Sequence, residues 1–218
     1  MSIVRSYGAA KLLAKVLFLL VAGISAVHAA PIRLLLLGDS LTAGFGLPHA
    51  AGFEAQLNSA LTAKGVQVAI IDGAVSGDTS AGGLARLPWL LGANPQAAIV
   101  ELGANDALRG IDPAVTRAAL SEILTRLKAR RIAVLLCGML APPNYGNEYS
   151  ARFNAIYPEL AKTFAVPLYP FFLEGVAADA KLNQADGLHP TAAGVDVIVK
   201  NILPTVEEFL GTISAQPS

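Results

Sequence analysis

The sequence is poor in the residues that cross-link a chain, ligate metals or charge a surface. Among its 218 residues there is one cysteine, Cys137, so no disulfide can form within the chain in any compartment. Cys137 ends the apolar run Ile132-Ala133-Val134-Leu135-Leu136-Cys137, where a buried, inert thiol is expected rather than a nucleophile. Histidine occurs three times, and no H-E-x-x-H, EF-hand loop, P-loop or G-x-G-x-x-G is present, so no metal site is expected. Charged residues make up only 15% and the formal net charge is zero. That balance offers no basic face to nucleic acid and no block of like charge to an acidic membrane surface. No serine stands in a G-x-S-x-G turn, which excludes the common α/β-hydrolase nucleophile elbow.

Apolar residues, by contrast, supply 54% of the chain, enough for one domain with a large core. The first 29 residues are set apart from that domain. Arg5, Lys11 and Lys15 precede an apolar run from Val16 to Val27, and Val27-His28-Ala29 places small residues where a signal peptidase reads. Cleavage after Ala29 is expected, because a cut after Ala30 would put His28 at a recognised position and Pro31 just beyond the cut. The apolar run is shorter than the roughly 20 residues that span a bilayer, so no stable membrane anchor is expected after cleavage. The remaining domain, residues 30–218, has 13 Lys and Arg against 16 Asp and Glu, a net of −3.

Within that domain, strand-length apolar runs alternate with helix-length segments. The strands are read at Ile32 to Leu37, Val66 to Ile71, Ala97 to Leu102, Ile132 to Cys137 and Val166 to Tyr169. Helices are read at Phe53 to Lys64, Ala81 to Leu91, Asp112-Pro113 through Arg130, Glu148 to Phe164 and Thr191 to about Phe209. A polar, frayed tail follows from Gly211. Strands joined by single helices imply parallel neighbours and a three-layer α/β/α sandwich.

In such sheets ligands bind beyond the carboxyl ends of the strands. Four segments meet that rim: Gly38-Asp39-Ser40-Leu41, Ser76-Gly77-Asp78, Gly103-Ala104-Asn105-Asp106 and Asp186-Gly187-Leu188-His189. His28 leaves with the signal segment, so His49 and His189 are the remaining bases. His49 has no carboxylate before Glu54, whereas His189 has Asp186 three residues earlier across a glycine-containing turn. That spacing can put a carboxylate on Nδ1 and leave Nε2 to face a hydroxyl, although Asp-x-x-His also occurs in ordinary surface turns. Ser40 has two readings, a helix N-cap or a nucleophile at the end of a buried strand. Asn105 after Gly-Ala is a turn signal as well as a side-chain donor. The Ser40 and Gly77 backbone N–H groups with the Asn105 amide could aim three donors at one oxyanion. Asp39 is read as structural, tying down the loops around Ser40.

These four blocks, in this order, resemble the GDSL or SGNH hydrolase superfamily, and Ser40, Gly77, Asn105 and His189 match its four signature residues. The likeness is nearest to the bacterial periplasmic branch described as thioesterase I, lysophospholipase and arylesterase. It is carried further by Ser76 to Ser80 with Gly83 to Pro88, by Glu101-Leu102-Gly103, and by Asn144-Tyr145-Gly146 with Ala155 to Pro158. Ala104 departs from it, standing where a glycine is expected. The resemblance implies a flavodoxin-like five-stranded sheet of order 2-1-3-4-5 and a Ser40–His189–Asp186 triad. It also implies an oxyanion hole of Ser40, Gly77 and Asn105, with no cofactor. It points to an esterase or thioesterase acting on a small-molecule or lipid ester. Ala107 to Gly110 and Met139 to Pro142, chiefly Leu108, Leu140, Ala141 and Pro142, are the expected acyl-binding walls. A carbohydrate O-acetylesterase or a non-catalytic binding protein on the same fold are the rival readings.

Overall fold

The computed structural model describes residues 30–214; the expected signal segment 1–29 lies outside the described residues. Five parallel strands form one sheet: β1 (Ile32–Gly38), β2 (Val68–Ala74), β3 (Ala97–Glu101), β4 (Ala133–Cys137) and β5 (Leu168–Tyr169). Their order is β2-β1-β3-β4-β5, as expected. Leu34 to Leu37 of β1 are fully buried, which is why that run is continuous rather than alternating. The helices are α1 (Ser40–Ala43), α2 (Phe53–Ala63), α3 (Ser80–Leu90), α4 (Ala104–Leu108), α5 (Pro113–Ala129), α6 (Gly146–Asn154), α7 (Ile156–Phe164) and α8 (Ala192–Ser214). One layer pairs α2 with α8; the other sets α5 between α3 and α7. The chain leaves β1 for β2 on one side and returns to β3 on the other, so a crevice opens beyond the ends of β1 and β3.

Three strands begin later than their apolar runs, for one shared reason. Val66, Ile132 and Val166 donate their N–H groups back to Leu61, Leu127 and Ala161 at 2.9, 3.0 and 3.0 Å. Each closes the end of the preceding helix in a six-to-one bond, next to a residue in the left-handed conformation: Gly65, Arg131 and Ala165. The first apolar residue of each run therefore caps a helix instead of entering the sheet. The expected helix from Glu148 to Phe164 is broken at Ala155, because Pro158 has no N–H to give Asn154. The Asn154 side chain, at the end of α6, accepts the Ala141 N–H at 2.9 Å. The closing helix runs on to Ser214, since Ile213 still packs against the core, so residues 211–214 are not a frayed tail.

Candidate active site

The site is assembled from strand ends. Asp39, not Ser40, caps α1: its Oδ1 accepts the Leu41 N–H at 3.0 Å, which leaves the Ser40 hydroxyl free for another partner. That partner is His189, whose Nε2 lies 2.9 Å from Ser40 Oγ. On its other side, His189 Nδ1 is 2.6 Å from Asp186 Oδ2. Asp186 Oδ1 meanwhile accepts the backbone N–H groups of Leu188 and His189 at 2.9 and 3.0 Å. These donors, the His189 backbone first and then its side chain, pull the Asp186 carboxyl down to about 2. The turn is pinned further by Gln184, which donates its N–H to the His189 carbonyl at 2.7 Å. Its side chain reaches the Phe45 carbonyl at 2.7 Å, and the Phe45 ring packs on the His189 ring with centroids 4.5 Å apart. His49, by contrast, is exposed and meets Glu54 at 3.4 Å rather than a hydroxyl.

The three expected oxyanion donors come from separate strand ends, and Ser40 and Asn105 line one cavity while Gly77 lies outside its lining. Gly77 sits in a tight turn closed by the Asp78 N–H on the Val75 carbonyl at 3.1 Å. Its φ of +85° requires glycine, while the nearest atom to an added Cβ would be an Arg109 nitrogen at 3.8 Å. The turn is fastened twice: Arg109 donates to the Gly77 carbonyl at 2.8 Å, and Arg86 pairs with Asp78 while also donating to the Gly38 and Gly73 carbonyls. Asn105 Nδ2 donates to Asp39 Oδ2 at 3.2 Å, which spends one amide hydrogen and leaves the second unclaimed by this bond. Its neighbour Asp106 is buried and accepts Ser80 N–H, Ser80 Oγ–H and Thr116 Oγ1–H at 2.8, 2.5 and 2.9 Å, fixing the loop that carries Asn105. Neither the Ser40 nor the Gly77 backbone N–H has an acceptor among the described residues.

Beside Ser40 opens a cavity of about 440 Å³. The four expected wall residues, Leu108, Leu140, Ala141 and Pro142, all line it, as do Ala104, Ala107 and Met139. Arg109 and Gly110, the rest of the expected segment, are absent from that wall; Arg109 turns to Gly77 instead. The sequence reading missed four further lining residues, Phe171, Leu173, Ala177 and Ala178. Those residues come from the irregular stretch before α8, where no periodicity marks a face. Ala104 adds its methyl to the cavity without strain, since its backbone stays outside the left-handed region. Cys137 is free and buried, and burial pushes its thiol well above the ordinary value.

Residues 36–197 match the GDSL-like lipase/acylhydrolase family. The chain belongs to that family. This GDSL hydrolase is 41% identical over 184 residues to esterase TesA of Pseudomonas aeruginosa, covering 84% of this chain and 92% of the relative. It is 44% identical over 181 residues to an arylesterase of Vibrio mimicus, covering 83% and 89%. It is 43% identical over 183 residues to thioesterase 1/protease 1/lysophospholipase L1 of Escherichia coli K12, covering 82% and 86%. A crystal structure of TesA superposes with a TM-score of 0.78 at 40% identity, covering 81% of this chain and 99% of that one. The GDSL hydrolase is thus a serine carboxylic ester hydrolase of the esterase and thioesterase branch. Among its described residues no helix is long and apolar enough to cross a membrane, and no cluster of His, Cys, Asp and Glu could hold a metal ion.

Proposed function

We propose that the chain hydrolyses short- to medium-chain carboxylic esters, aryl esters, acyl thioesters and lysophospholipids through an acyl-Ser40 intermediate. The observation that carries this reading is the continuous line Ser40 Oγ, His189 Nε2, His189 Nδ1, Asp186 Oδ2, with contacts of 2.9 and 2.6 Å. Ser40 Oγ attacks the carbonyl carbon as its proton passes to Nε2. Asp186, held ionised by its donors, fixes the imidazole tautomer and stabilises the imidazolium. The carbonyl oxygen gains a full negative charge, which the Ser40 and Gly77 N–H groups and the Asn105 amide receive. As the tetrahedral centre collapses, Nε2 returns the proton to the departing alkoxide or thiolate. Water then gives a proton to Nε2 and attacks the acyl-Ser40 carbon, releasing the acid and restoring the hydroxyl. No step calls for a cofactor.

The substrate class follows from the cavity. Its side chains Leu108, Met139, Leu140, Phe171 and Leu173 are apolar, which suits an alkyl chain and offers a sugar little to bond. Each methylene buried there is worth up to about 0.8 kcal/mol, nearly fourfold in binding. The names of the relatives, esterase, arylesterase and thioesterase/lysophospholipase, support the same range. A p-nitrophenyl ester panel from acetate to palmitate, with an acyl-CoA beside it, tests the reading. kcat/KM is expected to climb from acetate to short or medium chains and then level or fall. A sharp optimum at acetate, with acetylated sugars preferred over phenyl acetate, would refute it in favour of a carbohydrate esterase. Residues 1–29 are proposed as an export signal and the enzyme as periplasmic or secreted. The positive start and apolar run support this, and intact mass of the exported protein, expected to begin at Ala30, tests it.

A further inference from the structure

Beneath Ser40 lies a carboxyl that the hydrolysis does not use. Glu101, the last residue of β3, is 1% exposed and stands between Gly38 of β1 and Cys137 of β4 in the sheet. Its Oε2 accepts the Thr42 hydroxyl at 2.8 Å and faces the Asp39 N–H at 3.5 Å. Both donors belong to the turn that carries Ser40. Gly38 is glycine because the space is taken: a Cβ there would meet Thr42 Oγ1 at 2.3 Å and Glu101 Oε2 at 3.1 Å. The other oxygen, Oε1, is buried without a hydrogen-bond partner among the described residues.

Glu101 is thus one of three buried carboxyls, with Asp106 and its immediate neighbour Asp39. No Lys or Arg is paired with Glu101 or Asp39 among the described residues. The titratable groups around Glu101 are Asp39, Cys137 and Tyr157; those around Asp39 include His189 and Asp106. Two adjacent anions in a dry site repel strongly, so one carboxyl keeps its proton. Asp39 has the donors that suit an anion, the Leu41 N–H at 3.0 Å and the Asn105 amide at 3.2 Å. Glu101 has the orphaned oxygen, so it is the neutral member. Burial first, and the Asp39 charge second, push its carboxyl well above the ordinary range.

We propose that Glu101 is a positioning residue for ester hydrolysis, holding Thr42 and the Asp39 backbone so that the Asp39 carboxylate fixes the aim of the Asn105 amide. The inference rests on Asn105 being an oxyanion donor, as argued above. Glu101 touches no substrate; it acts through Asp39. A neutral Glu101 differs from a structural plug because glutamine can replace it and a hydrocarbon cannot.

The test is steady-state kinetics on p-nitrophenyl butyrate for Glu101→Gln, Glu101→Leu, Thr42→Val and Asn105→Ala, and for each of the first three combined with Asn105→Ala. Glu101→Gln is expected to keep kcat within about twofold, and Glu101→Leu to lower it about tenfold or more at unchanged KM. In the Asn105→Ala background the Glu101→Leu loss is expected to vanish, because the group it positions is gone. Thr42→Val, which removes only the hydroxyl bonded to Glu101, is expected to lower kcat severalfold with the same non-additivity. It carries the test if Glu101→Leu does not fold. The proposal is overturned if Glu101→Gln is as slow as Glu101→Leu, or if neither Glu101→Leu nor Thr42→Val slows the enzyme. It is also overturned if their losses add in full to a slow Asn105→Ala, an outcome that leaves the oxyanion reading standing. An Asn105→Ala enzyme at full rate would overturn both.

Discussion

On the proposed oxyanion-hole reading, replacing Asn105 with alanine removes one of three donors to the developing oxyanion, together with its bond to Asp39. The side chain makes one hydrogen bond, to Asp39 at 3.2 Å, and the loop behind it is held independently by Asp106 on Ser80 and Thr116. The variant should therefore fold, and thermal unfolding checks that first. The ground-state carbonyl carries only partial charge, so the donor contributes little to substrate binding; the tetrahedral intermediate carries a full one. Loss of a single donor of this kind costs about 2.7–4 kcal/mol, or roughly 10²–10³ in kcat. Because Asp39 holds the amide in place before substrate arrives, no reorganisation offsets the loss, and the upper half of that range is expected. The assay is hydrolysis of p-nitrophenyl butyrate with kcat and KM resolved separately. A kcat drop at constant KM supports the assignment. Raised KM with kcat preserved would make Asn105 a substrate-binding residue and refute the reasoning.

The other predictions address the base, its partner and the buried acid. Asp186, whose carboxyl sits at about 2, should stay ionised throughout the pH profile of activity. His49→Ala should leave rate and pH profile unchanged, since that ring meets only Glu54; equal damage from His49→Ala and His189→Ala would reverse the assignment. Asp39 is expected to lower stability as pH rises. Burial raises its carboxyl from 3.8 to about 6, so the folded state binds this proton more tightly than the unfolded chain. Its contribution is therefore favourable below pH 3.8 and is lost as the pH climbs through 6, by about 3 kcal/mol in all. Urea unfolding at pH 5 and 7.5 should show wild type losing stability between them, with a smaller loss in Asp39→Asn; identical slopes would contradict the linkage.

How much of this was legible in the sequence depends on the kind of signal. Strand existence and the α/β/α layering were readable because Leu34 to Leu37 and Leu135 to Cys137 are unbroken apolar runs with glycine behind them. Strand starts were not, because Val66, Ile132 and Val166 are as apolar as their neighbours while their N–H groups close helices. The candidate site residues were readable because each ends a strand or precedes a helix, where chemistry gathers at the rim of a parallel sheet. The four further lining residues were hidden, since Phe171 to Ala178 carry no periodicity and only tertiary packing turns them inward. Glu101 was hidden differently. A carboxylate at a strand end resembles any polar terminus until the structure shows Thr42 and Asp39 closing over it.

The central claim is that Ser40 is the nucleophile, and covalent trapping tests it most directly. Incubation with a fluorophosphonate, followed by intact mass and peptide mapping, should show one adduct, on Ser40, formed at a rate that falls when His189 is replaced. Ser40→Ala should take up no label and lose on the order of 10⁴ or more in kcat while keeping its fold. An adduct on another residue, or a Ser40→Ala enzyme labelled at the wild-type rate, would contradict the account.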